Sequence, residues 1–417
     1  MIGSQHEVAT RDELLAVVAN SGVRSITVTA DLAEMPSFRL SPGQTLLGNE
    51  QSIRFAASED GVQLSADNEV AGLGLIADPT RRALFNDISV QGFGRILLRD
   101  LRVTGAVRLL AREQVRSGRV EAHNIDIVAA DARAYDERPK GYGVEVVAGA
   151  FTLWNQQTDP VVAITADLTG LSAGRAGAPV RGGGIFVGGA GDTGGRLIAR
   201  RLETGAVFSD GGIEPGTPDR ITGGVFTIHG AFVDRVCNHG PVTTYGANDM
   251  VLDNWGTVDT WVAENKITSH GPSSIGFVNF GVINRLEVRS GIETFGQGAR
   301  GFNVYTGTVR QGVFDRIVTH GDGAVGIQIS QPVGEIIVRR GIETYGGVGD
   351  SLVKGVVTRL SATALSVKPG GEACKITVAG GLVTHGAGVE PLELHGCVRA
   401  LEIEGGLAAM GEGFGTI

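Results

Sequence analysis

Two glutamates, Glu293 and Glu343, occupy equivalent places two repeats apart in this chain, with Val318 between them. Paired carboxylates do acid, base and nucleophile work on glycosidic bonds. Retention wants them roughly 5–5.5 Å apart, and inversion roughly 6.5–9.5 Å. If each repeat is one coil of a solenoid, the two backbones lie about 9.5 Å apart, with room between them. Asp253 and Asp322 are further acids nearby, so Glu293, Glu343, Asp253 and Asp322 form the candidate catalytic set. The structural alternative is that all four are solvated surface acids.

His270 and His320 are also two repeats apart. Two imidazoles sharing zinc must each bring a nitrogen to about 2.0–2.1 Å of the metal, which coils that far apart do not allow. They are expected beside the substrate or simply as members of a ladder, with no metal and no cofactor. Trp255, Phe280 and Tyr305 fall on successive repeats. Stacked about 4.8 Å apart, such rings suit a sugar face or a partner surface. The alternative is a ladder stabilised by its own stacking or covered by a loop. Asn303 and Gln328 complete the candidate binding surface.

The elements that position these groups are set by a period. Gly246, Gly271, Gly296, Gly321 and Gly346 are spaced by a constant 25, each closing a phrase such as Thr294-Phe295-Gly296. Self-similarity at that period marks a stacked repeat. Alternate strand residues point to opposite faces. The apolar column Val242, Ile267, Ile292, Ile317, Ile342, Leu382 therefore points inward, and so does the hydroxyl column Thr244, Ser269, Thr294, Thr319, Thr344, Thr384, bonded to backbone. On the first strand of each coil, Leu252, Phe277, Phe302 and Ile327 go in, leaving Asp253, Val278, Asn303 and Gln328 outside.

Upstream, Thr10-Arg11-Asp12-Glu13 reads as a capping box for a short helix over residues 11–20. Short strands follow, including Ile26–Val28, Phe38–Leu40 and Val62–Leu64. Leu73–Leu75, Leu101–Val103 and Ile125–Ile127 recur at spacings of 28 and 24. Residues 131–220 read as the same solenoid throwing off longer loops, where binding walls tend to be built. The step from Gly346 to Gly386 is 40, so one coil there is irregular. The chain reads as one domain over 1–417: an N-terminal cap over 1–24, long-looped coils over 131–220, and regular coils over 225–417.

The 417 residues carry a net charge of −9, which argues against nucleic acid as a partner. No run approaches a membrane-spanning length and no signal peptide is visible, which leaves a cytoplasmic or a processed, exported protein open. Cys237, Cys374 and Cys397 fit neither a disulfide framework nor a zinc spacing. No C-terminal capping helix is visible, and a homo-oligomer would cover that end.

The capping helix, the short strands and the 25-residue period together resemble the pectate-lyase-like superfamily of right-handed parallel β-helices. The resemblance covers the architecture of most of the chain. It implies an all-β, single-stranded solenoid and a carbohydrate ligand. The Asn-Thr-Asp and Asp-Asp pairs of polygalacturonases and the Arg-x-Pro-x-x-Arg of pectate lyases are missing, so no catalytic set carries over residue by residue. The expectation is a carbohydrate-active enzyme cleaving or rearranging glycosidic bonds of a poly- or oligosaccharide. The alternative is a non-catalytic adhesin, tailspike or scaffold binding glycans or partners.

Overall fold

A computed structural model of the chain describes residues 4–353 and 355–411; the outermost residues of the expected domain lie outside them. The architecture is a parallel β-helix. Contacts divide the chain into two units. The first comprises Met1–Ala134, Ala148–Gly205 and Ile228–Val233, and the second Tyr135–Val147, Ala206–Thr227 and Asp234–Ile417.

The first unit opens with the expected helix, Arg11–Ala19, capped by Thr10 and Glu13 in a reciprocal box. It lays Leu14 and Val18 onto the core. The coils that follow stack in register. Ile26, Leu46, Val70, Leu98, Ala122 and Leu168 pair in succession and are fully buried. Leu75, Val103 and Ile127 do the same, so the irregular spacings of 28 and 24 are one column. Each Val, Leu or Ile of these columns taken from water contributes about 1.5–3 kcal/mol before chain entropy is counted.

In the second unit each regular coil has three strands. One coil uses Ile275–Asn279, Val282–Val288 and Ile292–Thr294, each pairing with its counterpart one coil on. The inward column from Val242 to Leu382 is as expected. The hydroxyl column is buried too, but only part of it bonds to backbone. Thr319 donates to the Ala324 carbonyl at 2.6 Å and Thr384 to that of Val389 at 2.7 Å. Thr244, Ser269 and Thr294 hydroxyls have no partner among the described residues. The long step before Gly386 is an antiparallel hairpin, Val348–Val353 with Val356–Ser361.

The periodic glycines have a steric cause. A Cβ on Gly271 would lie 1.7 Å from the Gly246 carbonyl oxygen, and one on Gly296 1.8 Å from that of Gly271. The same contact is 2.1 Å for Gly321, 1.9 Å for Gly346, 2.0 Å for Gly386 and 2.2 Å for Gly411. At this corner consecutive coils approach too closely for any side chain. Gly347, next door, would meet only Asp322 Oδ1 at 3.5 Å. Gly346→Ala therefore should cost about 1–3 kcal/mol of overpacking, while Gly347→Ala should stay within about 1 kcal/mol of wild type. Chemical denaturation of the pair checks this; equal losses would remove coil approach as the cause of the period.

Candidate functional site

All groups that follow lie in the second unit. On the strands Val242–Thr244, Ile267–Ser269, Ile292–Thr294, Ile317–Thr319, Ile342–Thr344 and Leu382–Thr384, the residue after each strand is a ring. Tyr245, His270, Phe295, His320, Tyr345 and His385 form one stack. Successive centroids are 5.1, 5.0, 4.6, 5.2 and 4.4 Å apart, and no pair is tilted by more than 9°. Each ring faces its neighbours along the stack. The faces are therefore used up and edges are left for solvent, which removes the flat platform a sugar needs from His270 and His320.

Glu293 and Glu343 flank this stack on strands paired through Val318, two rungs apart as expected. Glu293 pairs with Lys266, and its Oε1 lies 2.8 Å from His320 Nε2. Glu343 pairs with Arg316, accepts from the Tyr345 hydroxyl at 2.7 Å and lies 2.9 Å from His385 Nε2. Partial burial pushes both carboxyls up. The bonds from Lys266 and His320 outweigh it at Glu293, and those from Tyr345, His385 and Arg316 at Glu343. Both end below the usual glutamate range, hence ionised at neutral pH. Asp322 is exposed, and its Oδ1 accepts from the Gly347 amide at 2.7 Å.

The other expected surface is not open. Asp253, Asn303 and Gln328 do align on the outward side of paired strands, yet all three are buried. Trp255 and Tyr305 are buried as well, and Phe280 is half-buried. Alternation gave their direction, but non-periodic segments cover them. The first is a hairpin of Lys140–Gly141 with Val144–Val146. Its turn residues Tyr142 and Gly143 have φ of 51° and 85°, the left-handed pair that a tight two-residue turn requires. Tyr142 stacks on Phe280 with centroids 4.5 Å apart and meets Trp255 edge-on at 5.1 Å. The place expected for a sugar on that stripe is taken by the protein's own ring.

The covering hairpin of Val348–Val353 buries Arg300, whose Nη2 donates to Ser351 Oγ at 2.9 Å and whose Nε donates to Gln328 Oε1 at 3.3 Å. Neither side-chain polar atom of Asn303 has a partner among the described residues. Asp253 is fully buried, and neither carboxyl oxygen has a partner at good hydrogen-bond geometry among them. Burial pushes its carboxyl well above the usual range, against the pull of the Trp255 indole.

Between these covers a cavity of about 230 Å³ remains. Tyr142, Val144, Pro218, Leu352 and Gly355 wall it, and Met250, Ile275, Val278, Phe280 and Tyr305 form its floor. Its polar side chains are mostly engaged. Asn248 donates to the Thr217 and Arg220 carbonyls, Thr306 donates to Phe280 O, and Ser273 Oγ accepts from the Leu352 amide. The lining is thus apolar and aromatic. Walls built on loops within 131–220 are expected from the sequence, but nothing in its pattern singles out Tyr142, Ile275 or Leu352; only the irregular 40-residue step points toward the last. Compared with known proteins, the chain matches no family model, no curated protein and no solved structure.

Two pH effects follow. Folded Glu293 and Glu343 have lowered pKa values, so their stabilisation is present above the unfolded value of 4.5 and is lost as pH falls through the folded ones. Glu293→Gln with Glu343→Gln should flatten the acid limb of a stability–pH profile. Asp253 has the opposite sign: its raised pKa gives a contribution that is lost as pH rises from 3.8 toward the folded value. Asp253→Asn should therefore raise the melting temperature at pH 7 and leave it nearly unchanged at the acid end. A lower melting temperature at pH 7 would show a buried carboxylate that the fold needs charged.

Proposed function

We propose that the protein is a binding β-helix that takes a ring-shaped ligand with one apolar face, a sugar residue of a glycan or glycoside, without cleaving it. The cavity of about 230 Å³, floored by Phe280 and Tyr305 and walled by Tyr142, carries this reading. It exceeds the roughly 150 Å³ cavity that accepts benzene. The apolar lining, Met250, Ile275 and Val278 among it, holds the apolar face of a pyranose by burial and leaves its hydroxyls to solvent. The parallel β-helix is the architecture through which the chain resembles the pectate-lyase-like superfamily, and that likeness supports a carbohydrate ligand.

Cleavage is the second reading, supported by Glu293 and Glu343 standing two rungs apart. Against it stands the protonation they would need. One carboxyl must act as a general acid with a raised pKa. Both are instead ion-paired and held low. Asp253, the acid with a raised pKa, is sealed from solvent.

Titration calorimetry with phenyl glucoside, indole and an oligosaccharide panel tests the proposal. The ring-bearing probes should bind, and Ile275→Trp, which fills the cavity, should weaken them at least tenfold. Product analysis should show intact oligosaccharide. Binding unaffected by Ile275→Trp would place the ligand elsewhere. Cleavage abolished by Glu293→Gln or Glu343→Gln would replace binding with catalysis.

A further inference from the structure

Three unlike donors converge in the second unit, apart from the cavity and from the ring stack. Cys237 is the next-to-last residue of the strand Ala231–Asn238, His239 follows that strand, and Glu264 follows the strand Thr257–Ala263 one coil later. Their ligand atoms all lie within 4.8 Å of one another. His239 Nδ1 is 3.6 Å from Cys237 Sγ and 2.8 Å from Glu264 Oε2.

That one nitrogen faces both partners is the informative point. A thiol–imidazole–carboxylate relay would use opposite ring nitrogens, one toward the sulfur and one toward the carboxylate. Here a single Nδ1 serves both, so the three donors aim at a common centre. Tetrahedral zinc, with Zn–S about 2.3 Å and Zn–N about 2.0 Å, holds those two atoms about 3.5 Å apart. The observed 3.6 Å fits without rearrangement. The carboxylate needs to withdraw by roughly 0.5 Å to take the third corner, and Glu264 is only half-buried.

The supports of the cluster are those of a held site. Glu264 uses its second oxygen, Oε1, to accept from Arg289 Nη1 at 3.3 Å, and Arg289 is itself tied to Glu287 at 3.3 Å. The Asn265 side chain donates to the His239 carbonyl, and Ser290 Oγ donates to that of Glu264 at 2.6 Å. The Glu264 amide donates to Asn238 O at 2.9 Å, and the Trp261 indole donates to the buried Asn238 side chain at the same distance. Outer contacts of this kind orient metal ligands and typically carry 10–100-fold of affinity.

We propose that Cys237, His239 and Glu264 form a binding site for zinc or a similar divalent metal with one open coordination position. Thiolate, imidazole and carboxylate together select a borderline-soft ion over calcium or magnesium. Thiolate and carboxylate also neutralise its two charges. Three protein ligands leave the fourth position for water or a ligand atom. This rests on geometry independent of the glycan reading, so either can fail alone.

The test uses the full chain, stripped with a chelator and titrated with Co²⁺ and then Zn²⁺. One equivalent of Co²⁺ should give a thiolate-to-cobalt charge-transfer band in the near ultraviolet and tetrahedral bands in the visible. Zn²⁺ should displace both. Cys237→Ser should abolish the charge-transfer band, and His239→Ala and Glu264→Gln should each weaken zinc at least tenfold. The exposed Cys374 and Cys397 are the controls: replacing both with Ser should leave the signal intact. Cys237 is buried and its substitution can unfold the chain, so His239→Ala at an exposed position decides the matter. Zinc affinity unchanged in His239→Ala, or a band that vanishes with Cys374 and Cys397, overturns the proposal, as does absence of any thiolate band.

Discussion

Everything in the regular coils depends on how closely one backbone can approach the next. At the corner after the third strand that approach leaves less than 2.3 Å between a would-be Cβ and the preceding coil's carbonyl, from Gly271 to Gly411. Because the corner cannot slip without a clash, the coils align residue on residue. Aligned coils turn a sequence period into columns, and a column multiplies whatever residue occupies it. An isoleucine becomes a continuous core and a ring becomes a stack. A glutamate with a cation one coil away becomes a paired row, as with Lys266 and Glu293 or Arg316 and Glu343.

The same alignment separates frame from function. The ring stack and its glutamates use up their faces and charges on one another, which suits a surface that stabilises itself. The candidate binding features lie where non-periodic segments or strand ends meet the columns. The cavity exists because three non-periodic segments, around Tyr142, Pro218 and Leu352, lean over one face of the coils. The thiol–imidazole–carboxylate cluster forms where Cys237 and His239 flank the last residue of the strand Ala231–Asn238, just ahead of the regular repeats.

Columns were legible in the sequence, because a period of 25 and alternation along a strand are local facts. The inward isoleucines and the two-rung separation of Glu293 and Glu343 follow from them, and the helix at Arg11–Ala19 follows from its capping box. Covering was not legible. Alternation sets Asp253 and Asn303 beside the apolar Leu252 and Phe302, yet exposure depends on what lies above, and Tyr142 is more than a hundred residues from its partner Phe280. The glycine period was visible, but its cause was not, since tight turns and close approach leave the same residue. The metal cluster left one trace: His239 and Glu264 are themselves 25 apart, the same period reaching one repeat earlier than the phrase that announced it.

The order of rings in the stack has a consequence for how the column is held. Each imidazole of His270, His320 and His385 alternates with a phenol or phenyl ring, so no two lie in contact. Ring faces meet along the axis, while the edges of His320 and His385 reach Glu293 and Glu343. The column is thus gripped end to end by stacking and tied from the side at separate rungs, as a spine is by its ligaments.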